Sequence, residues 1–224
     1  MDHIYIRECE PTHSTAPLSV DAARHIAALR LRDGEQVKVL NGRGLIALCT
    51  VRRTDGAARL DVTSTTLTPK PPSLTLVMSV LDNRDRYEFA LEKATELGIT
   101  RFIPLLAERS QHHRVNHDRL IAKAIAAVTQ CGVPWLPEIM PAVEIDHVDW
   151  SETIVMGDDK GAPPNGADLT GDVCVVVGPE GDFSDREKSL LTNDLRTKRW
   201  AIGRNRLRAE TAAIALIANV VSVR

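Results

Sequence analysis

The fold is decided by residues 173–187, which run Val-Cys-Val-Val-Val-Gly-Pro-Glu-Gly-Asp-Phe-Ser-Asp-Arg-Glu. Val173–Gly178 is a short apolar run rich in β-branched residues, as is typical of a strand buried on both faces of a parallel sheet. Ser184 and Glu187 form a capping box, which predicts that a helix begins there. Because a short loop joins this strand to this helix, the stretch predicts an α/β domain built on a parallel sheet.

The same alternation of strand and helix extends on both sides of this stretch. Apolar runs predict strands at Leu74–Leu81, Ile99–Leu106, Thr153–Gly157 and Arg199–Gly203. Caps and amphipathic spacing predict helices at Asp85–Leu97, Asn116–Gln130, Ser184–Leu195 and Glu210–Val223. This order implies a parallel sheet that is covered by helices on both faces.

The first 70 residues follow a different pattern. Gln36–Asn41 and Leu45–Val51 are β-rich runs around a hairpin-type turn, and Ala57–Thr63 follows a second turn at Asp55-Gly56. A helix interrupts them, with Ser19 as its predicted N-cap and Gly34 as its predicted end. We expect these elements to form a small β-barrel or curled sheet.

A proline-rich linker separates the two patterns. Three prolines within four residues, Pro69, Pro71 and Pro72, favour an extended connection because proline lacks the backbone donor that helices and central strands need. The predicted domains are therefore residues 1–70 and 71–224.

Composition excludes several classes of protein. The chain has 224 residues, of which 43% are hydrophobic and 26% are charged, so it is neither disordered nor fibrous. No apolar stretch approaches the ~20 residues that a membrane helix needs, and no secretory signal is visible at the start. The four cysteines are scattered, which favours a reduced cytoplasmic protein without a metal clip or disulfide framework. The net charge of −2 limits any nucleic-acid contact to a local patch.

Two loops at the ends of predicted strands carry the candidate chemistry, since ligands of parallel sheets bind beyond the carboxyl ends of the strands. In Gly178–Ser184 the two glycines are expected to provide close backbone approach and positive φ, and Glu180 and Asp182 argue against a phosphate loop. A tight structural connection is an equally good interpretation of this loop from its residues alone. In Ile202–Ala212 three arginines precede a helix N-terminus, which favours an anionic or electron-rich ligand over a turn exposed to solvent.

The two loops together resemble the RsmE family of SPOUT-superfamily methyltransferases, which act on N3 of a uridine in 16S ribosomal RNA. The resemblance rests on Gly-Pro-Glu-Gly-x-Phe-Ser at 178–184 and Leu-Arg-x-Glu-Thr-Ala at 207–212. It extends to residues 25–31, 85–88, 92–99 and 104–110, and so covers nearly the whole chain in the expected order.

This resemblance implies a PUA-like β-barrel followed by a SPOUT domain with a deep trefoil knot. It also implies a homodimer that uses S-adenosylmethionine without a metal and acts on 16S rRNA of the small ribosomal subunit. The residues that it assigns to the cofactor site are Gly178, Glu180, Gly181, Ile202, Gly203, Leu207, Arg208, Thr211 and Ala212. The apolar last helix has more hydrophobic surface than one core face requires, and we expect it to pack against a second subunit. Its apolar residues are Ile214, Leu216, Ile217, Val220, Val221 and Val223.

Methylation of uracil N3 requires that the N3 proton be removed and that the developing negative charge be stabilised. Arg208 is our first candidate for stabilising that charge, with Arg206 as the second. Glu210 can accept the proton, orient Arg208 or cap the helix, and direct loss of the proton to water is a further alternative.

A basic track is expected to bind the RNA phosphates. Its members are Arg30, Arg32, Arg84, Arg86, Arg109 and Arg206. The alternative is that these arginines pair with nearby acids such as Asp33, Asp82, Asp85 and Glu108.

The chain departs from the family pattern at four places: Asp182 replaces a common glycine, Ala209 a common threonine and Val133 a common arginine, and the basic residue usual near the end of the first strand is absent from residues 81–83. The missing arginine keeps open an RNA-binding ribosome-assembly factor with weak or no catalysis. A methyltransferase of another RNA base or of a tRNA is a further alternative. The cluster at His112, His113 and His117 lacks the carboxylate or cysteine that would complete a metal site.

Overall fold

Contacts within the chain divide it into two units. The structure is a computed structural model that describes residues 1–54, 57–111, 114–150, 153–169 and 171–224. The first unit comprises Met1–Pro71 and Ile125–Leu136, and the second comprises Pro72–Ala124 and Pro137–Arg224. No helix in the described residues is long and apolar enough to cross a membrane.

The first unit is built on a four-stranded sheet with the order β1-β2-β3-β4. The strands are β1 (His3–Tyr5), β2 (Gln36–Leu40), β3 (Leu45–Thr54) and β4 (Ala57–Leu67), and the helix α1 (Val20–Ala28) lies between β1 and β2 in sequence. Strands β1 and β2 are parallel, and the other pairs are antiparallel. The predicted strands and the Ser19 cap are confirmed, since Ser19 accepts a hydrogen bond from the Ala22 amide. The predicted turn at Asp55-Gly56 lies outside the described residues.

A later segment of the chain completes this unit. The Gly44 N–H donates to the Pro134 carbonyl at 2.9 Å, and the Leu136 N–H donates to the Gly42 carbonyl at 3.0 Å. A Cβ atom on Gly44 would lie 2.6 Å from the Trp135 ring, and Gly44 has a φ of +93°. The turn between β2 and β3 therefore needs glycine because the segment 134–136 packs directly against it.

The second unit contains a six-stranded sheet with the order β10-β8-β9-β5-β6-β7, and every pair in it is parallel. Its strands are β5 (Leu74–Ser79), β6 (Arg101–Leu105), β7 (Glu138–Ile139), β8 (Thr153–Ala162), β9 (Val173–Val177) and β10 (Thr197–Trp200). Its helices are α2 (Arg84–Glu96), α3 (His117–Cys131), which continues into the first unit, α4 (Asp185–Asn193) and α5 (Ala209–Val223). The predicted parallel α/β fold is confirmed, and every residue of β9 is buried as expected for a central strand.

Side-chain caps define several helix starts. Ser184 and Glu187 form the predicted capping box at α4. Asn116 accepts a hydrogen bond from the Arg119 amide at the start of α3. Asn83 caps α2 in the same way, so that helix begins at Arg84, one residue before its predicted start.

Three predicted boundaries are wrong. The last strand ends at Trp200 and not at Gly203, because its pairing with β8 ends at Trp200, although the Ala201 N–H still donates to the Ala162 carbonyl at 2.8 Å. Strand β8 continues to Ala162 and not to Gly157, since it stays paired with β10 through a shift in register. The first helix ends at Ala28 and not at Gly34, and Leu29 forms its C-cap.

Candidate cofactor and RNA site

Two loops meet at the carboxyl edge of the six-stranded sheet. The first loop (residues 178–184) follows β9, and the second loop (residues 201–208) follows β10. Although β8 separates these strands in the sheet, Arg206 Nη2 lies 3.5 Å from the Glu180 carbonyl oxygen and donates to it. The structure thus brings together the two segments that the sequence assigned to one site.

Asp182 gives the first loop its conformation. Its φ is +64°, whereas neither Gly178 nor Gly181 lies in the left-handed region, so the expectation that the glycines supply positive φ is wrong. The Asp182 carboxylate accepts from the Phe183 amide at 2.8 Å and from Lys188 Nζ at 2.6 Å, and these bonds stabilise the strained residue. Gly178 is needed for space, because a Cβ there would lie 2.9 Å from the Phe183 ring.

The loop after β6 holds the first loop in place. Arg109 Nη1 donates to the Phe183 carbonyl at 3.2 Å and lies 3.4 Å from the Gly181 carbonyl. The buried carboxylate of Glu187 accepts from the Glu108 amide at 3.0 Å and from the Ser184 amide at 2.8 Å. Arg109, a predicted RNA contact, therefore also supports the loop that precedes α4.

Glu108, one of the acids that the alternative pairs with the predicted RNA-contact arginines, pairs with Arg186. Its carboxylate accepts from Arg186 Nε at 2.6 Å, and Arg186 also bonds Asp146 at 2.8 Å. Hydrogen bonds from Ser184 and Arg186 lower the pKa of Glu108. The guanidinium of Arg109 is therefore left to bond the two carbonyls of the first loop.

The second loop is open to a ligand. The backbone N–H groups of residues 202–207 make no hydrogen bond to any residue that the structure describes. Arg204, Arg206 and Arg208 are exposed, while Ile202 and Leu207 are half-buried. Among the described residues, apart from Gly203 and its two chain neighbours, no atom lies within 4 Å of a Cβ built on Gly203, so the backbone there has room for a bound molecule.

These features fit S-adenosylmethionine. Its adenine edge and amino-acid group can use unpaired backbone amides, and its adenine ring can pack on half-buried aliphatic side chains. The second loop offers both, and the exposed Thr211 and half-buried Ala212 continue the surface into the first turn of α5.

The two predicted catalytic residues lie at the start of α5. Arg208 is its N-cap residue and makes no side-chain capping bond. The Glu210 side chain is 13% exposed and lies 3.7 Å from Arg86 Nε. Glu210 thus faces a residue predicted to bind RNA, and this pair joins the first turn of α5 to that of α2.

The other predicted RNA contacts divide between the units. Arg84 Nε lies 3.6 Å from the Glu88 carboxylate. Arg30 and Arg32 are exposed in the first unit, and Arg30 has a φ of +54°. The described side chains of Arg30 and Arg32 form no ion pair, and Asp33 accepts instead from the Arg53 amide.

The described residues contain no group of three or more His, Cys, Asp or Glu that could hold a metal ion. His112 and His113 of the predicted cluster lie outside the described residues. His117 Nε2 is 2.8 Å from the Ile139 carbonyl oxygen, so this ring nitrogen has a backbone hydrogen-bond partner.

Sequence interpretation missed the long-range partners of the site. Glu187 was predicted as half of a capping box, but its bond to Glu108 joins residues 79 positions apart. The Arg86–Glu210 pair likewise joins two helices far apart in sequence. The sequence showed that these residue types can pair, but it did not show which partners they take. The partners depend on the order of the strands in the folded sheet.

Family comparisons agree with this geometry. Residues 68–221 match the RNA methyltransferase domain, and residues 18–61 match the RNA methyltransferase PUA domain. This chain belongs to the RNA methyltransferase family. The resemblance to the RsmE family and the presence of a PUA domain are therefore confirmed.

Curated relatives span nearly the whole chain. Ribosomal RNA small subunit methyltransferase E of Rickettsia conorii is 31% identical over 98% of this chain and 94% of the relative. The enzyme of the same name from Aquifex aeolicus is 30% identical over 87% of this chain and 88% of the relative.

Solved structures share the fold. Ribosomal RNA small subunit methyltransferase E from Neisseria gonorrhoeae, bound to S-adenosylmethionine, is 25% identical, covers 97% of this chain and 95% of its own, and has a TM-score of 0.83. A protein from Legionella pneumophila, solved in complex with the same cofactor, is 24% identical over 98% of this chain and 96% of its own, with a TM-score of 0.82.

Proposed function

We propose that this chain methylates N3 of a uridine in the 16S RNA of the small ribosomal subunit, with S-adenosylmethionine as the methyl donor. The observation that carries the proposal is the meeting of the first and second loops, where Arg206 donates to the Glu180 carbonyl. Support also comes from the relatives named as small-subunit rRNA methyltransferases and from the neighbour that binds S-adenosylmethionine.

The cofactor site is proposed to lie between these loops and the first turn of α5. The residues that hold the cofactor in this proposal are Gly178, Glu180, Gly181, Ile202, Gly203, Leu207, Arg208, Thr211 and Ala212. When bound, the cofactor supplies an electrophilic methyl group on a sulfonium. The two loops would hold the cofactor and position its methyl group for transfer to the base.

Arg208 is proposed to stabilise the negative charge that develops on the uracil oxygens, and Arg206 to assist it. Arg208 has the exposure that this role needs, and it lies beside the free N–H groups at the start of α5. Glu210 remains a candidate for accepting the N3 proton. Its pairing with Arg86 supports the alternative in which Glu210 orients a basic side chain and interacts with the helix N-terminus.

RNA is proposed to contact both units. The proposed contacts are Arg30, Arg32, Arg84, Arg86, Arg109 and Arg206. In this proposal, residues 1–70 form a PUA-like β-barrel that binds RNA, and residues 71–224 form a SPOUT domain with a deep trefoil knot that carries the cofactor, the catalysis and the dimer contact. The protein acts in the cytoplasm, where the small subunit is assembled.

The test is methyl transfer to small-subunit RNA taken from a strain that lacks the protein, followed by mass spectrometry of the nucleosides. We expect wild type to form N3-methyluridine. We expect Arg208→Ala to slow the transfer about 100- to 1,000-fold, because one charge-stabilising donor is lost. Arg204→Ala removes an exposed arginine of the same loop with no assigned role and serves as the matched control.

The outcomes separate the alternatives. A different methylated base would replace the uridine assignment. If wild type binds the RNA but calorimetry shows no binding of S-adenosylmethionine, the methyltransferase assignment is wrong. The ribosome-assembly factor is then the remaining alternative. Arg208→Ala with the rate of the Arg204→Ala control would remove Arg208 from catalysis.

A further inference from the structure

A cavity of about 410 Å³ lies in the second unit at the N-terminal ends of α2 and α3. Asn83 and Asn116, which cap these two helices, both line it. Val80, Leu81 and Val115 contribute apolar walls. Its volume falls in the range of about 300–1,000 Å³ that is typical of small-molecule pockets.

Basic side chains surround one buried carboxylate in this cavity. The Glu88 side chain is 3% exposed and binds Arg119 through both oxygens, with 2.9 Å between Nη2 and Oε2. Lys123 and Arg84 each lie 3.6 Å from it. The Arg119 hydrogen bond lowers the pKa of Glu88, so the carboxylate stays ionised and fixes Arg119.

The side chains in and around the cavity carry a net positive charge, which favours an anionic ligand. Four basic side chains (Arg84, Arg114, Arg119 and Lys123) stand against three acidic ones (Asp82, Asp85 and Glu88). The side chain of Arg114 is exposed and forms no hydrogen bond or ion pair with any residue in the described ranges. The free N–H groups of two helix N-termini add positive potential to the same wall.

Residues that line the cavity follow β5 at the carboxyl edge of the sheet, the edge at which the first and second loops lie. Strand β5, which leads into Val80 and Leu81, lies beside β9, and Met78 is paired with Val177 at the end of both strands. The Arg86–Glu210 pair joins the first turn of α2 to that of α5 at 3.7 Å. The cavity lining and the second loop therefore lie along the same edge of the sheet.

We propose that this cavity binds a nucleotide of the substrate RNA that neighbours the methylated uridine. Arg84 and Arg114 contact its phosphate, and Val80, Leu81 and Val115 contact its sugar or base. Glu88 is a positioning residue that holds Arg119 at the back of the cavity. This inference rests on the proposed function, because it takes the RNA as the ligand.

The test compares two double variants that remove equal charge. Arg84→Ala with Arg114→Ala removes the proposed phosphate contacts. Arg101→Ala with Arg196→Ala removes two arginines near the amino ends of β6 and β10, at the opposite edge of the sheet. RNA affinity is measured over a series of salt concentrations with small-subunit RNA from a strain that lacks the protein.

We expect the cavity variant to bind this RNA at least about tenfold more weakly than wild type. We expect its slope of log affinity against log salt to flatten by about 0.7, since the two arginines neutralise one phosphate and each phosphate of a single strand contributes about 0.7. The control variant should keep the affinity and slope of wild type. Calorimetry should give wild-type S-adenosylmethionine affinity for both variants, which shows that both are folded.

Failure of this inference is separable from failure of the proposed function. Wild type that forms N3-methyluridine, together with a cavity variant that retains wild-type affinity and slope, overturns the cavity assignment alone. Equal losses in the cavity and control variants also overturn it, because the effect would then be one of net charge. Wild type that methylates no small-subunit RNA overturns the proposed function itself.

Discussion

At the scale of single residues, Asp182 of the first loop lies in the left-handed region of backbone conformation. An L-residue in the left-handed region costs about 1–2 kcal/mol, and Asp tolerates this region because its carboxylate bonds the local backbone. The glycine that is common at this position in the RsmE family meets the same conformational demand without a side chain. The departure of this chain from the family pattern therefore preserves the shape of the loop.

We expect Asp182→Val to lower the free energy of unfolding by about 1–2 kcal/mol, since a β-branched residue fits the left-handed region poorly and the bond to the Phe183 amide is lost. Distortion of the first loop should also weaken S-adenosylmethionine binding several-fold. Urea unfolding and calorimetry measure the two effects. Asp182→Gly is the control and should stay within about 1 kcal/mol of wild type. Equal behaviour of the two variants would show that φ at this position does not matter.

At the scale of secondary-structure elements, Glu187 is a buried attachment of α4 to the loop after β6. The two oxygens of this buried carboxylate satisfy one amide in its own helix cap and one in the loop after β6. Glu187 therefore bonds both the end of the first loop, at Ser184, and the loop after β6, at Glu108. Through these two bonds it couples the conformations of the two loops.

We expect Glu187→Ala to reduce the free energy of unfolding by about 2–3 kcal/mol, because both amides lose their acceptor. Glu187→Gln should be intermediate, since only one of its two terminal atoms accepts. Asp185→Ala, an exposed change in the same helical turn, should cost less than about 1 kcal/mol. Urea unfolding of the three variants checks this order, and a loss for Glu187→Ala no larger than for Asp185→Ala would contradict it.

Helix starts were more predictable from the sequence than strand ends. Ser19, Asn116 and Ser184 were identified as caps because a cap bonds residues only three positions away. The end of β10 was not predictable, because it depends on pairing with β8, which lies about 40 residues earlier. The same distinction holds for the candidate site. Both loops were predicted from local motifs, whereas the Arg86–Glu210 pair and the cavity depend on contacts that form only in the folded sheet.

At the scale of the whole molecule, α5 leaves part of its apolar surface uncovered within one chain. Leu216, Ile217 and Val220 are buried, as a helix that packs on its own sheet requires. Ile214 and Ala218 are half-buried and Val221 is 46% exposed, and their spacing places them on one face of the helix. This face is where we expect a second subunit to bind.

We expect wild type to sediment as a dimer at micromolar concentration and Val221→Glu to raise the dissociation constant at least tenfold, because a charge would be buried in an apolar contact. Val20→Glu, at a valine that is 76% exposed in the first unit, is the matched control and should remain dimeric. Analytical ultracentrifugation measures all three proteins. A monomeric wild type, or a Val221→Glu protein that dimerises as well as the control, would contradict the expected interface.

The contribution of residues 125–136 to the first unit has a consequence during synthesis. A ribosome that adds about 5–20 residues per second needs roughly 3–13 s to extend the chain from Pro71 to Leu136. Through that interval the Gly44 amide and the Gly42 carbonyl lack the partners that they have in the finished protein. The first unit thus emerges first but is completed late, and its nascent form is the one that chaperones and proteases would encounter.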